Sequence, residues 1–147
     1  MSQPRRYLLT GASSGIGEAL AHQLASRGYD LVLASRRVDN LKALAAELSS
    51  KHGRTVVALP LDVTDYAAAQ AIVGQAAEAL GGLDGVIANS GIAMSSKVGK
   101  GHFDDDKRII ETNLTGAIAT LDAATALFRQ QGHGHLVALA SVAGKVG

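Results

Sequence analysis

Cysteine and tryptophan are absent from this chain, and other aromatic residues are scarce. None of its 147 residues is cysteine, which excludes disulfides, thiolate catalysis and cysteine zinc sites and fits a reducing compartment. Neither sign of charge is in excess, since 14 Lys and Arg face 13 Asp and Glu. With only 3% aromatic residues and no basic stripe between them, we expect no nucleic-acid partner.

Long apolar runs are also missing. No stretch approaches the roughly 18–20 apolar residues needed to span a bilayer, and no apolar signal-peptide core precedes the first polar loop. We therefore expect no membrane partner and take the cytoplasm as the default location. At 47% hydrophobic, the chain can bury the core of one ordinary domain, and we predict a single domain over residues 1–147.

Apolar runs alternate with amphipathic segments at a regular interval. This alternation predicts an α/β fold, a doubly wound parallel sheet with helices on both faces. A switch point after the first strand gives the strand order 3-2-1-4-5. The predicted strands are Arg6–Thr10, Asp30–Ser35, Thr55–Pro60, Gly85–Asn89 and His135–Ala140. The predicted helices are Gly15–Arg27, Val38–Lys51, Asp65–Leu80 and Phe103–Gln131.

The fifth predicted strand indicates that the sheet is incomplete. Right-handed crossovers place the first two helices on one face and the last two on the other. Residues Leu136–Ala140 are apolar at successive positions, so this strand needs cover on both faces, and its outer edge is unpaired. Only six residues follow Ser141 to supply that cover. We therefore expect the domain to be truncated on its C-terminal side.

A glycine-rich loop between the first strand and the first helix predicts a dinucleotide site. The loop has the spacing Gly11-x-x-x-Gly15-x-Gly17 and opens a helix, where backbone N–H groups and the helix dipole favour a pyrophosphate. Such a glycine triple is weak evidence alone, because glycine-rich turns are frequent. The cofactor-binding residues predicted here are Thr10, Gly11, Ser13, Ser14, Gly15, Ile16 and Gly17.

The polar bend Ser35-Arg36-Arg37 follows the second strand, where the adenosine ribose should lie. A site for NAD usually has an acid here that accepts from the ribose 2′-hydroxyl, whereas arginine offers a fork of donors suited to a 2′-phosphate. We therefore predict that NADP(H) is favoured over NAD(H), with Arg36 as the main contact. A solvated basic loop is the alternative, and NAD(H) stays open.

Four further motifs follow the glycine loop in order. They are Leu61-Asp62-Val63-Thr64-Asp65, Asn89-Ser90-Gly91, Asn113-Leu114-Thr115-Gly116 and Ala140-Ser141-Val142-Ala143-Gly144. Together with Thr10–Gly17 they resemble the classical short-chain dehydrogenase/reductase family along the whole chain. The resemblance implies a Rossmann-like NAD(P)-binding domain and an oxidoreductase that moves hydride between a nicotinamide and a small-molecule carbonyl or alcohol.

The resemblance also implies a role for individual residues. Asp62 would meet the adenine amine and Val63 would pack on the ring, while Asn89–Gly91 would lie at the cofactor. Ser141 would hydrogen-bond the substrate oxygen, and Asn113 would hold water in a proton relay, so these two are the predicted catalytic residues. Without the family, they are a strand-end serine and a mid-helix asparagine that bends its helix.

The general acid of the family is missing from the sequence. Family members carry Tyr-x-x-x-Lys after the serine segment, and no tyrosine here has a lysine four places later. We therefore predict that the chain holds the cofactor site but is inactive by itself. The alternative is a free-standing nucleotide-binding or sensing module without dehydrogenase activity. The family commonly forms homo-oligomers through the fourth helix and the next one, and the oligomeric state is left open.

Two other features contain potential metal ligands, but neither predicts a metal site. Asp104–Asp106 stands in the first turn of a predicted helix, where negative charge suits the dipole. His133-x-His135 offers two ligands before an apolar strand, short of a closed set. We predict no metal.

Overall fold

A five-stranded parallel sheet organises the chain. The computed structural model describes residues 5–94 and 99–141, and its sheet has the order β3-β2-β1-β4-β5, which confirms the predicted topology. The strands are β1 Arg6–Thr10, β2 Asp30–Ser35, β3 Val56–Pro60, β4 Gly85–Ala88 and β5 His135–Ala138. The helices are α1 Gly15–Ser26, α2 Val38–His52, α3 Tyr66–Leu80, α4 Phe103–Ile110 and α5 Gly116–Gln131.

The fourth predicted helix is interrupted. Its outer bounds, Phe103 and Gln131, are confirmed, but a π-helical segment, Glu111–Thr115, separates α4 from α5. Short π segments inside α-helices are rare and are frequently found at functional sites. The other predicted elements agree to within two residues, and the acidic triple Asp104–Asp106 lies in the first turn of α4, as predicted.

The parallel register brings the ends of the strands together at one edge of the sheet. Thr10 pairs with Ala34, Ser35 pairs with Pro60, and Ala88 pairs with Ala138. The loops that follow β1, β2, β3, β4 and β5 therefore all emerge at this edge, which is called the carboxyl edge below. In open parallel sheets, ligands bind at such an edge next to the switch point.

The helices cover the two faces as the crossover rule predicts. One core cluster joins α3 and α5 to inward residues of the strands such as Leu8 and Val86. The other joins α1 and α2 to the alternate residues, among them Leu9 and Leu33. Leu136 and Leu139 stay 41% and 38% exposed at the β5 edge. In the described ranges, no helix is long and apolar enough to cross a bilayer.

Arg6 and Asp84 join the opposite edge of the sheet. The Arg6 guanidinium donates two hydrogen bonds to the Asp84 carboxylate, from Nε to Oδ2 and from Nη2 to Oδ1, each at 3.0 Å. Its Nη1 donates to the Gly81 carbonyl at 2.7 Å. His133 Nε2 lies 3.6 Å from Asp84 Oδ1. Hydrogen bonds from Arg6 hold the pKa of Asp84 below its usual range against the opposing effect of burial. A bidentate arginine–carboxylate pair thus links β1 to the start of β4.

Candidate functional site

The glycine loop is packed so closely against the end of β4 that larger residues do not fit. Gly11 has a φ of +67°, and a Cβ there would lie 2.8 Å from Ser90 Cα. A Cβ on Gly17 would overlap the carbonyl of Gly11. A Cβ on Gly15 would instead meet no atom within 4 Å among the described residues, so this side of the loop is open. The loop therefore offers bare backbone to a ligand.

The N-terminus of α1 faces the same opening. Ser14 is the N-cap residue, and within the described part of the chain its side chain makes no capping hydrogen bond to the first turn. Ile16, in that turn, is 66% exposed. Uncapped N–H groups and the positive end of the helix dipole make this terminus suitable for an anion.

Thr10 and Asn89 fasten the glycine loop to β4. Asn89 Nδ2 donates to the carbonyls of Thr10 and Gly11, both at 3.1 Å. Thr10 Oγ1, on a residue that is 1% exposed, accepts from the backbone N–H groups of Asn89 and Ser90 at 3.1 Å each. The structure thus brings these predicted site residues together, and their polar groups hold the loop in place.

Arg37 bridges the bend after β2 and the glycine loop. Its Nε donates to Ser13 Oγ at 3.2 Å, and its Nη2 donates to Ser14 Oγ. Arg36 makes no side-chain hydrogen bond within residues 5–94 and 99–141. Ser35 is 8% exposed, and among the described residues its Oγ has no hydrogen-bond partner. The three residues of the predicted bend therefore have different surroundings.

Asp62 and Val63 lie at the end of the sheet next to the bend. Asp62 Oδ1 accepts from Thr64 N at 3.0 Å and from Thr64 Oγ1 at 2.7 Å. These two bonds lower the pKa of Asp62, and the positive charge of Arg36 lowers it further against the desolvation penalty. The exposed Asp62 carboxylate is therefore an ionised acceptor at neutral pH. Val63 is 6% exposed.

Gly116 allows the start of α5 to approach Val63. A Cβ on Gly116 would lie 2.6 Å from the carbonyl oxygen of Val63. The glycine of the Asn-x-x-Gly element is therefore required by the packing of a helix on the loop after β3.

Asn113 lies in the π segment and binds the chain after β4. Its Oδ1 accepts from Ile92 N at 2.8 Å, and its Nδ2 donates to Ile92 O at 2.8 Å. The carboxamide thus pairs with the N–H and the C=O of one residue, as a neighbouring strand would. This contact holds the segment Asn89–Ile92, which includes the predicted residue Gly91, beside the helix. No sequence pattern indicated Ile92 as the partner.

Ser141 follows β5 at the carboxyl edge and is exposed. The backbone N–H of Leu139 donates to Ala88 O at 3.0 Å, so pairing with β4 continues just beyond the strand. The rest of the predicted serine motif, Val142–Gly144, lies outside the described residues. The predicted site residues thus lie at the ends of β1 and β2, in the loops at the carboxyl edge, in the first turn of α1 or in the π segment.

This edge fits a dinucleotide. Close packing at Gly11 and Gly17 leaves no room for a side chain, and the loop is open at Gly15. The α1 N-terminus and Arg37 supply positive charge, and Ser35 Oγ is a buried hydroxyl that lacks a partner in the described chain. Among the described residues, no group of three His, Cys, Asp or Glu is placed to hold a metal ion.

The chain is similar to known proteins along almost its whole length. The sequence profile of the short chain dehydrogenase family matches residues 5–147. An oxidoreductase of Mycobacterium tuberculosis, itself uncharacterised, is 40% identical over 144 residues, which make up 97% of this chain and 57% of that protein.

Two solved structures are similar in both sequence and fold. A short-chain dehydrogenase from Sphingobium yanoikuyae in complex with NADPH is 36% identical with a TM-score of 0.87, over 98% of this chain and 56% of that one. An alcohol dehydrogenase from the archaeon Thermococcus sibiricus complexed with 5-hydroxy-NADP is 34% identical with a TM-score of 0.85, over 92% of this chain and 57% of that one. The chain spans a little more than half the length of these relatives.

Proposed function

The chain belongs to the short-chain dehydrogenase family, and on that premise we propose that it is the cofactor-binding part of an NADP-dependent oxidoreductase. The substrate would be a small-molecule carbonyl or alcohol. A bound nicotinamide supplies the hydride donor or acceptor for such a reaction. The observation that carries the proposal is the open glycine loop with Arg37 seated across it at the carboxyl edge of the sheet.

Different residues of the carboxyl edge bind different parts of the dinucleotide. The amides at the start of α1 and the hydroxyls of Ser13 and Ser14 bind the phosphates. Arg36 and Arg37 supply positive charge at the ribose of the adenosine. The ionised Asp62 accepts from the adenine amine, and Val63 forms the apolar floor beside it. Both relatives that were solved as complexes carry an NADP-type cofactor, which fits a nicotinamide dinucleotide at this edge.

On the reaction side, Ser141 donates a hydrogen bond to the substrate oxygen. Asn113 acts through Ile92, because both polar atoms of its carboxamide bind that backbone. It is therefore a positioning residue that keeps the segment Asn89–Ile92 at the correct distance from the helix. This role is the one that its geometry supports best.

The sequence as given contains no proton donor of the family type. No Tyr-x-x-x-Lys occurs in its 147 residues, so we propose that this chain binds the cofactor but does not by itself turn over substrate. The same absence favours a second candidate, a free-standing nucleotide-binding or sensing module that has no dehydrogenase activity.

Intact mass, cofactor binding and turnover together test the proposal. NADPH binding is measured by fluorescence titration with NADH as the control, and turnover is measured with a panel of carbonyl compounds. An intact mass well above 15.0 kDa, with turnover, would support the oxidoreductase as a longer protein. A mass near 15.0 kDa with tight binding and no turnover would favour the binding module. Failure to bind either nucleotide would rule out both candidate functions. Ordinary turnover by the 147-residue chain would contradict the proposal that it is inactive by itself.

A further inference from the structure

A second cleft opens at the edge of the sheet opposite the glycine loop, which is called the amino edge here. The cleft has a volume of about 460 Å³ and is lined by Arg5–Tyr7, Asp84 and His133–His135. These residues lie at or just before the starts of β1, β4 and β5. The cofactor site at the carboxyl edge uses none of them. The histidine pair set aside as a metal site therefore faces a cleft of its own.

We propose that the amino-edge cleft binds a small phosphate monoester, with Arg5 and His135 as its contacts to the phosphate group. The inference goes beyond the proposed function and is independent of it, because the two sites share no residue. Clefts that hold small ligands usually have volumes of about 300–1,000 Å³. The cleft therefore has room for a phosphate and for a small organic group beside it.

The charges that line the cleft favour an anion. The one carboxylate, that of Asp84, accepts from Arg6 N at 2.8 Å, from Nε at 3.0 Å and from Nη2 at 3.0 Å, so Arg6 neutralises it. Arg5 forms no salt bridge with a described residue. Its guanidinium donates one hydrogen bond, from Nη1 to the Tyr29 hydroxyl at 3.3 Å. A guanidinium has five N–H groups, so most of those of Arg5 are left for a ligand.

His135 adds a donor whose ring is held in place. Its Nδ1 lies 2.9 Å from the hydroxyl of Tyr7, and the two rings meet edge to face with centroids 6.1 Å apart. Burial raises the pKa of Tyr7, so the phenol keeps its proton. When this O–H donates to Nδ1, the imidazole proton is on Nε2, where it can be donated to an anion.

Two glycines make this arrangement possible. Tyr7, Gly85 and His135 are direct neighbours in the register of β1, β4 and β5. A Cβ on Gly85 would lie 2.3 Å from the Tyr7 ring, so the absence of a side chain lets that ring cross β4 and reach His135. A Cβ on Gly134 would lie 2.0 Å from the Phe128 ring, so glycine also allows the chain before β5 to pack against α5. The cleft is therefore preorganised, which lowers the cost of binding.

A residue-resolved NMR titration of the full chain tests the proposal without any turnover. The probes are glycerol 3-phosphate and inorganic phosphate, with glycerol and with sodium chloride of matched ionic strength as controls. Both phosphates should shift the amide signals of Tyr7 and His135 saturably, and neither control should. The ester should bind at least as tightly as inorganic phosphate. If only inorganic phosphate binds, or if neither probe shifts these signals, the proposal is wrong.

The same spectra separate the two sites. The amide of Gly15 reports binding of either phosphate at the glycine loop, and its titration curve is fitted independently of those of Tyr7 and His135. Shifts at Gly15 alone would overturn the amino-edge site and leave the proposed function standing. Shifts at Tyr7 and His135 without NADPH binding would do the reverse.

Two arginine variants distinguish a specific contact from general attraction between charges. Arg5→Gln should weaken glycerol 3-phosphate by about fivefold or more, because a charge-assisted contact is lost. Arg27→Gln removes the same charge from an exposed residue at the end of α1 that does not line the cleft, and it should weaken binding by less than about twofold. Urea unfolding should be the same for both variants, since both side chains are exposed. Equal losses of affinity in the two variants would show that the cleft does not recognise phosphate.

Discussion

The carboxamide of Asn113 pairs with both backbone polar groups of Ile92, accepting from its N–H at 2.8 Å and donating to its carbonyl at 2.8 Å. The two residues lie on different elements, the π segment and the chain after β4. A π segment has i→i+5 hydrogen bonds in place of i→i+4, so its side chains point in directions that differ from those of a regular α-helix. The π segment thus both interrupts the helix and carries the side chain that binds the loop after β4.

Removing the Asn113 carboxamide should loosen the loop after β4. We expect Asn113→Ala to lower the free energy of unfolding by about 1 kcal/mol, because two backbone groups of Ile92 lose a partner that water only partly replaces. Urea unfolding measures the change, and hydrogen exchange at the Ile92 amide should accelerate by more than the global loss of stability accounts for.

Asn113→Asp and Leu114→Ala make this test specific. The aspartate can still accept from Ile92 N but places a carboxylate against Ile92 O, so it should be as harmful as alanine. Leu114 is 52% exposed on the same segment, and its truncation should change stability little. Equal losses for Asn113→Ala and Leu114→Ala would show that the pairing contributes nothing.

Gly116→Ala and Gly74→Ala should have opposite effects on stability. A methyl group on Gly116 would meet the Val63 carbonyl at 2.6 Å, which forces α5 away from the loop after β3 and costs about 1–3 kcal/mol. Gly74 lies inside α3, and a methyl group there meets nothing within 4 Å in the described structure. Gly74→Ala should therefore add about 0.5–1 kcal/mol through helix propensity. Thermal or urea unfolding of both variants decides the signs.

The Arg6–Asp84 pair should make the fold sensitive to acid. The pKa of Asp84 is lowered by Arg6 from its ordinary value of 3.8. Below pH 3.8 the Asp84 carboxylate becomes protonated in the unfolded chain but stays ionised in the folded chain. The ionised pair stabilises the fold above pH 3.8, and this stabilisation is lost as the pH falls from 3.8 through the lowered pKa of the folded state. Urea unfolding measured from about pH 5 downward should show this loss.

Asp84→Asn should flatten that part of the pH dependence. It removes the titrating group and weakens the three hydrogen bonds that Asp84 accepts from the backbone and guanidinium of Arg6, so stability at neutral pH also falls. Asp122→Asn, on the exposed side of α5, is the matched control and should keep the wild-type slope. If Asp84→Asn leaves the acid slope intact, other carboxylates are responsible for it.

Sheet order and helix placement could be predicted because they depend on local patterns. Apolar runs such as Leu31–Ala34 identify strands, and glycines in left-handed backbone such as Gly53 end helices. The contacts within the site could not be predicted, because they join residues far apart in sequence. Arg37 and Ser13 are 24 residues apart, and Asn113 and Ile92 are 21 apart. Both contacts are set by tertiary packing, which no local pattern encodes.

Ser35 offers a test that couples stability to ligand binding. Its Oγ is buried and has no hydrogen-bond partner among the described residues, a state that costs free energy unless a ligand supplies the partner. Ser35→Ala should therefore raise the free energy of unfolding of the ligand-free protein by about 1 kcal/mol and weaken NADPH binding. Thr120→Val is the comparison, because that buried hydroxyl already donates to Gly116 O at 2.9 Å. It should gain no stability and leave NADPH affinity unchanged. A stability loss in Ser35→Ala would mean that the hydroxyl has a partner in solution, and unchanged NADPH affinity would remove Ser35 from the cofactor site.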